Sequence, residues 1–164
     1  QAVSEFDMMD SDELNASTDG KKIMFTSALW QTLKTNDQRA FVISHELAHI
    51  SLKHVPKTMA RKVGLFGLAT LFSRLFDEES SKKSQYLQQA AQAGLVLADL
   101  RFSREAEYGA DERGIQFMAQ AGYNPKGAIE TLSILEQADS SSTPQFLRSH
   151  PVSRNRIERL AQQY

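Results

Sequence analysis

Residues 44–54, SHELAHISLKH, hold three of the four histidines in this chain. On an α-helix, residues four apart differ by roughly 40° around the axis, so His45 and His49 share one face about a turn apart. Two neutral imidazoles so placed can bind one metal ion. Glu46 projects to the side, where its carboxylate reaches a water on that ion and not the ion itself. This is the H-E-x-x-H arrangement of zinc hydrolases. A water on zinc has its pKa lowered to about 7, and the glutamate takes the proton as the water attacks a carbonyl. The competing reading is a chance pair of histidines on a surface or core helix, since five-residue patterns do recur by accident. His54, five residues past His49, faces elsewhere and is one short of the six-residue step to a third metzincin histidine. It reads as structural.

A catalytic zinc takes three protein ligands and keeps one position open. No further histidine has a suitable spacing in the first helix, but residues 103–111, SREAEYGAD, offer Glu105, Glu107 and Asp111. Glu107 and Asp111 stand four apart and share a helical face. Glu107 can bind zinc while Asp111 accepts a hydrogen bond from a ligand histidine. Glu105 points away and reads as a surface charge. Taken alone, an E-x-x-x-D pair more often marks a solvent-facing charged helix.

Both motifs need helices to carry them. Thr35 and Gln38 have capping-box spacing, and Asp37 suits the positive end of a helix dipole, so a helix is expected over 35–56 with Pro56 ending it. Phe41, Val42, Leu47, Ala48 and Ile50 would face the core. Ser103 as N-cap and Gly122 past the end bound a second helix over 103–121, and Asn124 with Pro125 opens another. Ahead of these, an extended piece around Val3 to Met9, a turn at Asp19-Gly20 and a β-favouring run from Lys22 to Thr26 predict a small sheet within residues 1–30. Residues 139–144, DSSSTP, read as a loop. In the last segment, 144–164, Ile157, Leu160, Ala161 and Tyr164 mark one helical face.

Residues 59–79 carry a dense apolar run, followed by an exposed connection and a helix from Tyr86 to Leu100. The run from Val63 to Phe76 is shorter than the roughly 20 residues that span a bilayer and includes Arg74. A core helix, a lid over the site, and a surface for a membrane or partner all remain open for it. Gly64 and Gly67 lower its helix propensity.

The 164 residues, 41% hydrophobic and 24% charged, suit a single globular domain. A formal net charge of −1 provides no electrostatic grip on nucleic acid. Without cysteine, disulfides, thiolate zinc sites and cysteine nucleophiles are excluded. The start at Gln1 reads as a trimmed form.

HELAH followed by SREAEYGAD resembles the paired signature of the gluzincin metallopeptidases related to the heat-shock protease HtpX and the CAAX prenyl proteases. Ser103, Arg104, Glu107, Ala110 and Asp111 match that family's S-R-x-x-E-x-x-A-D. NASTDGKKIMFTSAL is similar to its Asn-Ala stretch and the strand before the active-site helix, in shortened form. SHPVSRNRI resembles its late H-P-x-x-x-x-R-I element at His150, Pro151, Arg156 and Ile157. The likeness runs from about residue 15 to 160. It implies His45, His49 and Glu107 as ligands of one Zn2+, Glu46 as general base and Asp111 as the group orienting a ligand. It also implies His150 near the metal, stabilising the oxyanion or filling the open position at rest, with Arg156 close by as a candidate substrate or oxyanion contact. For His150 the bland reading is a turn cap before Pro151, and for Arg156 a surface helix charge. Lacking a membrane span, the chain looks more like the soluble BepA-like and LoiP-like branch, with the bacterial periplasm or envelope as the expected compartment.

The expected fold is mainly helical α+β: a zincin-like domain with a small N-terminal sheet and an active-site helix packed on the third-ligand helix. The expected function is zinc endopeptidase action on misfolded or membrane-associated polypeptides. The substrate would lie extended along an edge strand at Ile23, Met24 and Phe25. Association with a membrane surface would run through residues 63–76. The alternative is a latent or non-catalytic zinc-containing chaperone or scaffold module, against which the retention of Glu46 argues.

Overall fold

The β-branched and aromatic residues near the N-terminus form a three-stranded sheet of β1 (Glu5–Met9), β2 (Ala16–Thr18) and β3 (Lys22–Thr26). The structure is a computed structural model and describes residues 5–18, 22–61, 64, 67, 102–138 and 145–164. The strand order is β1-β3-β2, with β3 parallel to β1 and antiparallel to β2. Alternation along β3 turns Ile23 and Phe25 inward.

This order overturns the expectation that Ile23, Met24 and Phe25 form an edge. Ile23 is flanked by Phe6 and Thr18, Met24 by Asp7 and Ser17, and Phe25 by Met8 and Ala16. The three residues of β2, too short to read as a strand, fold back and take the second side of β3. Their approach is anchored where Thr26 N donates to Asn15 O at 3.0 Å and Asn15 N donates to Thr26 Oγ1 at 3.0 Å. The edges are therefore β1 and β2.

Helices make up most of the remainder: α1 (Ser27–Thr32), α2 (Asn36–Ser51), α3 (Arg104–Gln120), α4 (Lys126–Ala138), α5 (Gln145–Ser149) and α6 (Arg154–Ala161). Residues 54–61 are also helical. The chain divides into two compact units, one built from 1–54 and 101–164 and the other from 55–100. In the second unit the described residues are those of the 55–61 helical stretch with Gly64 and Gly67. The remainder of the apolar run, the Tyr86–Leu100 helix, the Asp19-Gly20 turn and the 139–144 loop lie outside the described residues. Among the described residues no helix is long and apolar enough to cross a membrane.

In the first unit α2 is central, packed on α3, α4 and β2. Phe25, Leu29, Phe41, Ile115, Leu132 and Leu160 are among the residues of one core cluster around it. Leu47 and Ile50 are only partly buried. The N-terminus of α2 is closed by the expected capping box: Gln38 N donates to Thr35 Oγ1, and Thr35 N donates to Gln38 Oε1, both at 3.2 Å. Such a cap contributes about 1 kcal/mol. Ser103 caps α3 with its hydroxyl alone, accepting from Ala106 N at 3.2 Å, and Gly122 follows its end at φ 83°.

Two expectations shift. α2 stops at Ser51, not at Pro56, because Lys53 takes a φ of 56°. Pro56 instead falls in the first turn of the following helical stretch, where its missing N–H costs nothing. On α6 the buried residues are Arg156 and Leu160, while Ile157 is partly buried and Ala161 and Tyr164 are exposed. The inward face is rotated because carboxylates on α3 draw Arg156 inside.

The start of α4 lies against the start of α2. A Cβ on Gly127 would stand 2.6 Å from the carbonyl carbon of Asp37 and 2.7 Å from its oxygen. Backbone there cannot swing aside as a side chain would. Gly127→Ala is therefore expected to destabilise the fold by about 1–3 kcal/mol despite alanine's better helix propensity. A lowered urea midpoint with unchanged m-value would show it.

Candidate metal centre

His45, Glu46 and His49 come from α2, Glu107 and Asp111 from α3, and His150 from the residue after α5. None is more than 2% exposed. The helices meet closely: a Cβ on Gly114 would stand 3.1 Å from His45 N and 3.2 Å from its Cα. With α3 resting on the backbone of His45, Asp111 and Glu107, about one and two turns earlier, run alongside the histidine face.

His45 Nε2 lies 3.0 Å from His49 Nε2, 3.3 Å from His150 Nδ1 and 3.4 Å from Glu107 Oε2. Glu107 Oε1 lies 3.4 Å from His49 Nε2 and 3.1 Å from His150 Nδ1. Donor atoms of all four residues fall within 4.8 Å of one another. Nitrogen ligands 2.0–2.1 Å from a tetrahedral ion stand roughly 3.3 Å apart, so this spacing fits a metal. Three imidazoles directing ring nitrogens at one point need protons or a cation between them.

Behind the donors, Asp111 Oδ1 is 3.1 Å from His45 Nδ1, the contact anticipated from the four-residue spacing. Arg156 grips the same carboxylate with two hydrogen bonds, Nε to Oδ2 at 2.8 Å and Nη2 to Oδ1 at 2.6 Å. Its Nη1 donates to Pro151 O at 3.0 Å and lies 2.8 Å from Glu107 Oε2. Arg156 thus spans the two α3 carboxylates behind the donors. A cleft of about 630 Å³ reaches Glu107 and Arg156 between the first turns of α3 and the segment after His150.

Glu46 is different. Among the described residues neither of its carboxylate oxygens has a hydrogen-bond partner, and the nearest cation-forming group is His150 Nε2, 3.4 Å from Oε1. A buried carboxylate without hydrogen bonds is costly. Burial raises its pKa above the usual glutamate value.

The other shifts follow from the same enclosure. Burial disfavours the charge on His45, but Asp111 and Glu107 outweigh it and raise the pKa to about 9. Burial, reinforced by the neighbouring His45 and His150, pushes His49 well below the usual value. Glu107 is held low against burial by the three histidines, and Asp111 by Arg156 and His45.

Two features escaped the sequence reading. His54 Nδ1 lies 3.0 Å from His49 Nδ1, and the ring of His150 is flanked by Phe146, stacked at 4.6 Å, and Phe102 at 5.2 Å. The break in α2 at Lys53 brings His54 round, and nothing in a lysine signals such a backbone.

The fold and the donor set are those of a metallopeptidase. Residues 2–163 match peptidase family M48, and the chain belongs to that family. It is 28% identical over 158 residues to the beta-barrel assembly-enhancing protease of Escherichia coli, covering 93% of this chain and 32% of that protein. It is 27% identical over 164 residues to the mitochondrial metalloendopeptidase OMA1 of Bos taurus, covering 93% and 31% respectively. To the metalloprotease LoiP of Escherichia coli it is 28% identical over 137 residues, 82% of this chain and 52% of that one. The chain thus spans about a third to a half of the length of these relatives.

A metal must displace the proton held at His45. Without metal, the raised pKa stabilises the fold fully below pH 6.5, and that contribution fades as pH rises through about 9. Metal affinity is expected to do the reverse, climbing about tenfold per pH unit between these limits and levelling off above. Chelator competition across this range would show the slope. Calorimetry in two buffers of different ionisation enthalpy should count about one proton released near neutral pH.

Proposed function

We propose that this chain is a zinc endopeptidase in which His45, His49 and Glu107 hold one Zn2+ and Glu46 is the general base. The observation that carries the reading is the buried Glu46 carboxylate, without a hydrogen-bond partner among the described residues, beside four converging donors. A purely structural site has no use for that carboxylate. The bound ion would supply Lewis acidity, lowering the pKa of a water to about 7 and polarising the scissile carbonyl.

The chain's own groups do the rest. Asp111 Oδ1 stands 3.1 Å from His45 Nδ1, placed to draw the ring proton to that nitrogen and leave the Nε2 lone pair facing the donors. Arg156 balances Asp111 and Glu107 and is a positioning residue. Glu46, made more basic by burial, takes the proton of the attacking water on a carboxylate oxygen and passes it to the departing amine. His150 donates to the developing oxyanion. The substrate strand adds to the sheet at β2, an edge strand that packs on α2. Misfolded or membrane-associated polypeptides are the proposed substrates and the bacterial periplasm or envelope the proposed compartment. The similarity to the beta-barrel assembly-enhancing protease supports both.

The test is zinc content and cleavage of an unfolded protein by the native chain and Glu46→Gln together. We expect one zinc in each and at least a hundredfold loss of cleavage in the variant. Equal cleavage by both sinks the assignment.

One observation favours a second reading, a latent site. His150 completes a four-donor set, which is the mark of closed zinc sites, and two aromatic rings hold it there. His150→Ala separates the two. If His150 serves the oxyanion, cleavage falls roughly a hundredfold, which is the expected result. A rise in cleavage would establish the latent reading instead.

A further inference from the structure

His54 stands outside the donor set yet touches it. Its Nδ1 lies 3.0 Å from His49 Nδ1, while the other nitrogen of His49, Nε2, faces His45 Nε2 at 3.0 Å and Glu107 Oε1 at 3.4 Å. Two ring nitrogens at that distance share one proton, so one donates and the other accepts. The rings meet edge to face, with centroids 4.9 Å apart at 71°. Phe102 lies against the same pair, 4.1 Å from the His49 ring and 6.4 Å from that of His54.

The backbone is bent to make this contact. On an unbroken helix, His54 would be turned roughly 140° from His49 and could not reach its ring. α2 ends at Ser51, and Lys53 adopts a φ of 56°, a left-handed conformation that side chains with a Cβ disfavour. Glycine is the usual residue at such a helix end. The turn folds His54 back beside His49.

We propose that His54 is a positioning residue for the metal centre. As a neutral imidazole protonated on Nε2, it accepts a hydrogen bond from His49 Nδ1–H. That bond fixes His49 in the tautomer whose Nε2 lone pair faces His45 and Glu107. Each of the two α2 histidines then has a group facing its Nδ1, Asp111 at 3.1 Å for His45 and His54 at 3.0 Å for His49. A neutral acceptor suits the second position, because Arg156 already has to balance Asp111 and Glu107. The inference rests on His49 being a metal ligand, as in the function proposed above.

The test uses the native chain, His54→Phe and His54→Asn. Phenylalanine keeps an aromatic ring against Phe102 and removes the acceptor, whereas the asparagine carbonyl can restore it. Zn2+ affinity is measured by competition with a chromophoric chelator. The tautomer of His49 is read in the metal-free chain from two-bond 15N–1H spectra. We expect His54→Phe to bind Zn2+ about 10–100-fold more weakly, with His54→Asn recovering most of the loss. His49 should carry its proton on Nδ1 in the native chain and lose that preference in His54→Phe. Affinity of His54→Phe within twofold of native, or His54→Asn no tighter than His54→Phe, overturns the proposal. So does a native His49 protonated on Nε2, which requires no variant to fold. A native chain that binds no Zn2+ would instead overturn the metal reading, and the tautomer would still decide the role of His54.

Discussion

Burying charge without water is the constraint around which this molecule is built. Glu46, Glu107 and Asp111 are all inside, and Arg156 is the permanently charged cation beside them. Its guanidinium spans Asp111 and Glu107; with His45 it keeps Asp111 ionised against the pull of burial, as the three histidines keep Glu107. Three carboxylates with one guanidinium leave a formal charge of −2 when all are ionised. A divalent cation answers that surplus, and without one the raised pKa of His45 answers part of it with a proton.

Holding such a cluster together is a task for backbone contacts, since flexible side chains alone would let like charges part. α3 approaches α2 where Gly114 lies on His45, and α4 approaches α2 where Gly127 lies on Asp37. Each glycine sits where a side chain would wedge the helices apart. The first contact sets the distance from Glu107 and Asp111 to the histidines. The second, with the hydrogen bond from Gln38 to Glu130, locks the start of α2. Precision at the donors is therefore inherited from helix packing.

His150 touches both halves of the chemistry, with Nδ1 among the donors and Nε2 toward Glu46. Two aromatic faces hold its ring in that double contact. An enzyme built this way must move an imidazole before a peptide can approach, or use that imidazole on the peptide. The geometry puts His150 against both Glu107 and Glu46, the groups on which the proposed activity rests. The chain's membership of peptidase family M48 gives the class of chemistry.

What could be read from the sequence was local. Periodicity and caps marked the helices of the two motifs, because capping boxes and helical faces depend on residues three and four apart. The same spacing grouped His45 with His49 and Glu107 with Asp111. Spacing held no trace of contacts between segments; only the family resemblance joined Glu107 and His150 to the α2 histidines. That β3 is central and not an edge depends on where three short residues of β2 fold back. That Arg156 is buried depends on a carboxylate 45 positions away in the chain, Asp111. That His54 reaches His49 depends on one left-handed residue, Lys53, whose type does not favour that conformation. The sequence by itself determined which residues could do the chemistry; tertiary structure alone decided which of them meet, because packing and charge pairing act across distances the chain's order does not record.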